Sequence, residues 1–228
     1  MRRDGSRHAT SVRTNAMTRV LVVSPHPDDE SIGCGGTLRK HVVNGDSVHV
    51  IFLTSGEAGG HGRSPEETIH LREREARCAA DILGLTAIEF WRQPDKHLRA
   101  TRPVVERLRR TIESLHPSVL YVTHEQEMHP DHRAAVRIVH RTVSTLDGSA
   151  PKVLMYEVWT PLQSMDHVED ISDVMPAKIE AVRAYRTQCA AMRFDEAVLG
   201  LNRYRGEMHS WPGGDYAEIF RSLGPVSR

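Results

Sequence analysis

Apolar residues in this chain come in short dense runs, each followed by a longer stretch with helical spacing. The runs at 18–23, 47–54, 87–91, 119–123 and 153–158 are rich in Val, Ile, Leu and aromatic residues. Apolar character that is near-continuous rather than alternating marks strands buried on both faces, as in a parallel sheet. Helical spacing predicts helices over 36–43, 64–83, 101–115, 131–146 and 175–191. The first turns Leu38, Val42 and Val43 inward and closes at Asn44-Gly45. The second opens on Ser64 as N-cap, Pro65 at N1 and Glu67 at N3, and stops at Gly84. The third turns Val104, Val105, Leu108 and Ile112 inward. The polar, Pro-containing passage between 158 and 175 predicts no element, and the tail from Met192 predicts only a short closing helix at 216–223. Strands alternating with helices predict an α/β fold: a Rossmann-like, doubly wound, mostly parallel sheet with helices on both faces.

Composition narrows the function. A length of 228 residues fits one sizeable domain, expected over 17–228. Residues 1–16 carry four arginines and no apolar pattern. They are expected to be a disordered extension, with Met17 as an alternative start. Thirty basic residues balance thirty acidic ones, which argues against nucleic acid or a membrane surface as partner. Nothing is apolar for long enough to span a membrane. Cys34, Cys78 and Cys189 are odd in number, far apart and match no zinc spacing, which suits a reducing cytoplasm.

The chemistry gathers in two turns. The first apolar run ends in Ser24-Pro25-His26-Pro27, and Asp28, Asp29 and Glu30 follow at once. Two prolines within three residues stop strand and helix alike. So many acidic groups beside a histidine on a tight turn call for a cation. His26 and Asp29 are three apart and share a face if the turn becomes helical, whereas Asp28 does not. They form half of a zinc or iron(II) site. The second turn, His129-Pro130-Asp131-His132, follows the run at 119–123. Open α/β sheets place ligands beyond the carboxyl ends of their strands, so the two turns are expected to meet there. The Gly33-Cys34-Gly35-Gly36 segment fails the spacing of a dinucleotide fingerprint, and no H-E-x-x-H occurs.

With Pro25-His26-Pro27-Asp28-Asp29-Glu30, Gly35-Gly36 and His129-Pro130-Asp131-His132 in place, the chain resembles the LmbE-like / PIG-L family of metal-dependent N-acetylglucosaminyl deacetylases. Weaker matches at Arg72-x-x-Glu75, Pro94-Asp95, Lys178 to Gln188 and Arg205-Gly206 to Glu218 extend it over most of the chain. The resemblance implies that His26, Asp29 and His132 ligate a metal, Zn2+ with Fe2+ as the alternative. It implies Asp28 as general base, His129 as the oxyanion stabiliser oriented by Asp131, and Arg72 and Asp95 as residues that hold the sugar. The implied substrate is a small amino sugar conjugate of the N-acetylglucosamine type. A sibling amidase cleaving another acyl group or a sugar-conjugate amide, or a metal-stabilised sugar-binding protein without turnover, are the alternatives. Related proteins often form trimers or hexamers. One departure stands out: some members carry a tyrosine where this chain has Glu127.

Overall fold

The computed structural model describes residues 17–146, 150–209 and 214–224. The extension expected at 1–16 lies outside the described residues. The predicted alternation is present: β1 (Arg19–Ser24), α1 (Asp29–Val43), β2 (Ser47–Phe52), α2 (Pro65–Leu83), β3 (Ala87–Phe90), α3 (Arg102–Leu115), β4 (Val119–Thr123), α4 (Pro130–Val143) and β5 (Lys152–Tyr156). Then come β6 (His167–Asp170), α5 (Met175–Ala184), α6 (Arg186–Cys189), α7 (Phe194–His209) and β7 (Ala217–Ser222). The sheet order is β3-β2-β1-β4-β5-β7-β6. The first five strands are parallel, and β7 joins β5 and β6 antiparallel. Strand order reverses between β1 and β4, the switch point at which open α/β sheets bind ligands.

Side chains of a strand alternate between faces, and the two cores follow from that. Leu21, Val23, Leu120 and Val122 pack on one face with Leu108 and Ile112 of α3 and Ile138 of α4. Val20, Val22, Val119 and Tyr121 pack on the other with Leu38 of α1 and Ala76, Ala79 and Leu83 of α2. Both faces are covered, so both sets of positions must be apolar.

Four local expectations are corrected. Helix α1 starts at Asp29, not 36, and so contains three glycines in its first eight residues. Close packing explains two of them: a Cβ at Gly33 would lie 2.1 Å from Tyr156 Cδ2, and one at Gly36 2.8 Å from the Ile171 side chain. Val43, expected inward, is exposed at the helix end. The helix expected over 175–191 breaks at Tyr185, whose ψ of 62° leaves the helical region. The tail carries the long helix α7, and 217–222 is a strand rather than a helix. Glu218, the second residue of that strand, is buried. It pairs with Lys178 Nζ at 2.6 Å and accepts the N–H groups of Gly36 and Thr37 at 2.8 Å each. A strand with a buried carboxylate shows no apolar period, which hides it from pattern reading.

Alanine normally improves a helix interior over glycine by about 0.5–1 kcal/mol. At position 33 the contact with Tyr156 reverses the sign. Gly33→Ala is expected to cost roughly 1–3 kcal/mol, as overpacking does. Urea unfolding checks this; a variant as stable as the parent would show that Tyr156 yields freely.

Candidate metal centre

The His26 turn leaves β1 and the His129 turn leaves β4, and adjacency of the two strands brings both turns together. Asp29 Oδ2 sits 3.1 Å from His26 Nδ1 and 3.2 Å from His132 Nε2. His26 Nε2 faces Asp95 Oδ1 at 3.1 Å and Asp131 Oδ2 at 3.4 Å. Among the described residues, two groupings bring their ligand atoms within 4.8 Å of one another: His26 with His129 and His132, and His26 with Asp95 and Asp131. Asp29 is in neither grouping, yet its Oδ2 lies between His26 and His132. These side chains form a cluster able to hold a divalent metal.

Local geometry separates the two neighbouring aspartates. Asp28 has φ 129° and ψ −32°, a region that non-glycine residues rarely occupy and that costs of order 1–3 kcal/mol. Two neighbours hold it there. Its N–H donates to Glu30 Oε2 at 3.2 Å, and its Oδ2 accepts from Arg72 Nη2 at 2.9 Å. Glu30 is itself fixed by the Ser31 and Tyr185 hydroxyls at 2.6 Å each. Arg72 also donates to the carbonyls of Pro27 and Gly56. Gly56 is required there, since a Cβ would lie 2.0 Å from Arg72 Nη1 and φ is +66°. Asp28 is thus aimed at the cleft, while Asp29 starts α1 and faces the histidines.

Charge compensation sets the titration. Burial lifts the Asp28 carboxyl; Arg72 opposes and Asp29 reinforces the rise, and the result is about 7. Burial would also lift Asp29, but His132 and His26 pull it far below the usual carboxylate range. Burial acts to lower His132, yet Asp29 and Glu127 outweigh it and raise it to about 9. His26 is raised for the same reason by Asp131, Asp29 and Asp95. Burial, with His26 and His132 nearby, lowers His129. The site therefore holds more carboxylates than fixed cations.

Whether a metal suits these residues is decided at His132. The ring is fully buried and, among the described residues, neither nitrogen makes a hydrogen bond. Its contacts to Asp29 and Glu127 have ion-pair distances without hydrogen-bond geometry. A buried imidazole with two unmatched nitrogens is costly. A cation beside Nε2 would complete one of them, and the excess of carboxylates favours that cation.

The structure places every expected site residue at this edge, with differences in partner. The Asp131 carboxylate does not touch His129. It accepts the N–H groups of Lys96 at 2.7 Å and Leu98 at 3.1 Å, and the Asp131 N–H donates to His129 Nδ1 at 3.2 Å. Arg72 and Asp95 line the cleft. Both are already engaged: Asp95 accepts from the N–H groups of Ala58 at 2.9 Å and Lys96 at 2.7 Å. Sequence reading missed Glu127, Glu30 and Trp159. Glu127 lies behind His132, its Oε2 3.5 Å from Nδ1. Its Oε1 accepts the N–H groups of Val158, Trp159 and Thr160 at 2.7, 3.0 and 3.3 Å. In the sequence Glu127 sits in a polar stretch, His124-Glu125-Gln126-Glu127, that carries no sign of its burial. The cleft itself measures about 200 Å³.

A family model described as PIG-L, GlcNAc-PI de-N-acetylase, matches residues 21–143. The chain is 33% identical over 189 residues to a probable N-acetyl-alpha-D-glucosaminyl L-malate deacetylase 2 of Bacillus cereus, with 77% of this chain and 86% of that one covered. It is 29% identical over 189 residues to a 4-oxalmesaconate hydratase of Pseudomonas putida, covering 74% and 73%. The crystal structure of the conserved protein TT1542 from Thermus thermophilus superposes with a TM-score of 0.79 at 33% identity, covering 93% of this chain and 97% of that one.

Glu127→Ala would leave three backbone N–H groups without their acceptor and His132 without its neighbour. The expected stability loss is roughly 1–3 kcal/mol by denaturant titration. Divalent-metal affinity is expected to fall about 10–100-fold in chelator competition, as for the loss of an outer-shell partner. Metal affinity equal to the parent's would remove Glu127 from the metal centre.

Proposed function

Because the chain belongs to the PIG-L family of GlcNAc-PI de-N-acetylases, we propose that it is a divalent-metal amide hydrolase that removes the N-acetyl group from an N-acetylglucosamine-type sugar conjugate. The observation that carries this reading is Asp28, a strained and buried carboxylate held at the rim of a histidine–carboxylate cluster. His26, Asp29 and His132 are the ligands in this reading, with zinc as the metal and iron(II) as the alternative. Three protein ligands leave room for water and substrate. A divalent cation bound there supplies a water of lowered pKa and polarisation of the amide carbonyl.

The remaining work falls to side chains. Asp28, titrating near neutrality, takes the proton of the attacking water and passes it to the departing amine nitrogen. His129 Nδ1 accepts a backbone N–H, so in the neutral ring the proton sits on Nε2. That N–H is free to donate to the carbonyl oxygen as charge develops there. The lowered pKa of His129 agrees with a neutral donor. Arg72 and Asp95, with Lys96 beside them, form the polar wall that meets the sugar hydroxyls.

Similarity to a hydratase supports a second reading, addition of water across a carbon–carbon double bond of an unsaturated acid by the same base. A screen of the metal-loaded protein separates the two: primary amine released from N-acetyl sugar conjugates, or conjugated-acid absorbance lost. Bound metal with neither reaction would favour the sugar-binding alternative.

Purified protein is expected to carry close to one zinc or iron per chain by elemental analysis, and activity that survives chelators would sink the mechanism. Asp29→Ala is expected to lose metal and activity together. Asp28→Asn is expected to keep its metal and lose ~10²–10⁴ in rate. His129→Ala is expected to keep its metal and lose roughly 10²–10³, as for an oxyanion donor. If Asp28→Asn empties the site while Asp29→Ala keeps its metal, the two roles are exchanged.

A further inference from the structure

A second cavity of about 220 Å³ adjoins the cleft. The two share Ile32, Trp159, Met192 and Phe194. Sheet order decides which chemistry lies on which side. The candidate ligands follow the central strands β1 and β4. Toward β2 and β3 stand Arg72, Asp95 and Lys96, which is the polar side. Toward β5 stand Trp159, which follows that strand, and Phe194 and Val198 at the start of α7. Trp159 packs edge-on against Phe194, with ring centroids 5.5 Å apart. Trp159 and Met192 are large apolar side chains left exposed, so this wall is open to an incoming ligand.

An amide cleaved at the centre has two halves that leave in opposite directions. The sugar, rich in hydroxyls, matches the polar side. The acyl half then points toward β5 and α7. An acetyl methyl needs only a small recess, and a cavity of about 220 Å³ is far more than that; Ile32, Val158, Trp159, Phe194, Val198 and Leu201 line it, together with Arg193 and with Glu157 and Glu218, which are paired to Arg205 and Lys178. Asn202 borders this cavity, is 4% exposed, and donates through Nδ2 to the Ala217 carbonyl at 2.9 Å.

From these observations we infer that the cavity between Trp159 and α7 is an acyl-chain subsite, and that this enzyme hydrolyses amides of aliphatic acyl groups longer than acetyl in preference to acetyl itself. The assignment rests on the amide-hydrolase reading and extends it on the acyl side, with acetyl at the short end of the range.

Two measurements test it. The first is calorimetric binding of acetate, butanoate and hexanoate, the carboxylates that acyl hydrolysis leaves, to the metal-loaded protein. Affinity is expected to rise up to about fourfold per methylene, the worth of a buried CH₂. Ala197→Trp fills the cavity from an exposed position on α7 and is expected to flatten the series while leaving acetate binding unchanged. The second is kcat/KM for N-acetyl, N-butanoyl and N-hexanoyl glucosamine, expected to rise in the same order. Equal affinity along the carboxylate series in the parent, or a series that Ala197→Trp does not alter, overturns the subsite. Amine release from N-acetylglucosamine with a flat series leaves the hydrolase standing and removes the subsite. A rising series with no N-acyl glucosamine hydrolysed keeps the subsite and removes the sugar.

Discussion

Buried negative charge is the constraint around which this edge of the sheet is built. Asp28, Asp29, Glu30, Asp95, Glu127 and Asp131 are all buried beyond the carboxyl ends of β1 to β4. Ionised carboxylates out of water need partners. Asp28 finds the Arg72 guanidinium, and the other five tether a loop or a ring. Asp131 holds Lys96 and Leu98, Asp95 holds Ala58, and Glu127 holds 158–160. Loops that would otherwise move are pinned because the carboxylates require donors, and the same pinning pre-positions the cleft.

Histidines carry what the backbone does not compensate. Asp29 lies between His26 and His132, and the raised affinity of both rings for protons measures the negative field that a divalent cation would meet. Asp28 stands apart from that exchange. Arg72 and Glu30 hold its backbone in a rarely occupied conformation, so its carboxylate faces the cleft rather than the ligand cluster. Two adjacent residues of one chemical type thereby acquire different titration ranges, one near neutrality and one far below it. Divergent pKa values in one site are what separates a proton carrier from a fixed charge.

The order of the strands then makes the cleft asymmetric. Loops after β2 and β3 contribute Gly56, whose carbonyl holds Arg72, and Asp95 and Lys96. The loop after β5, tied by Glu127 to His132, contributes Trp159, and α7 supplies the facing apolar wall. Position along the sheet edge thus translates directly into polarity around the cleft.

Much of this was legible in the amino-acid pattern. Five parallel strands showed as dense apolar runs because both faces of each are covered. The two His/Asp turns stood out because prolines and carboxylates end those runs abruptly. Spacing put Asp29, and not Asp28, on a face with His26 only if the turn became helical, and α1 does begin at Asp29. Other features depended on residues distant in the chain. Gly33 and Gly36 read as breakers, but they lie inside α1 because Tyr156 and Ile171 press against it. Glu218 disguised β7, since its partners Lys178 and the α1 amides come from 40 residues or more away. Glu127 read only as a departure from a tyrosine, and its place behind His132 depends on β4 and β5 lying side by side. Local sequence records where the backbone bends and which positions repeat; which buried charge meets which donor is decided by strand order, which no short window contains.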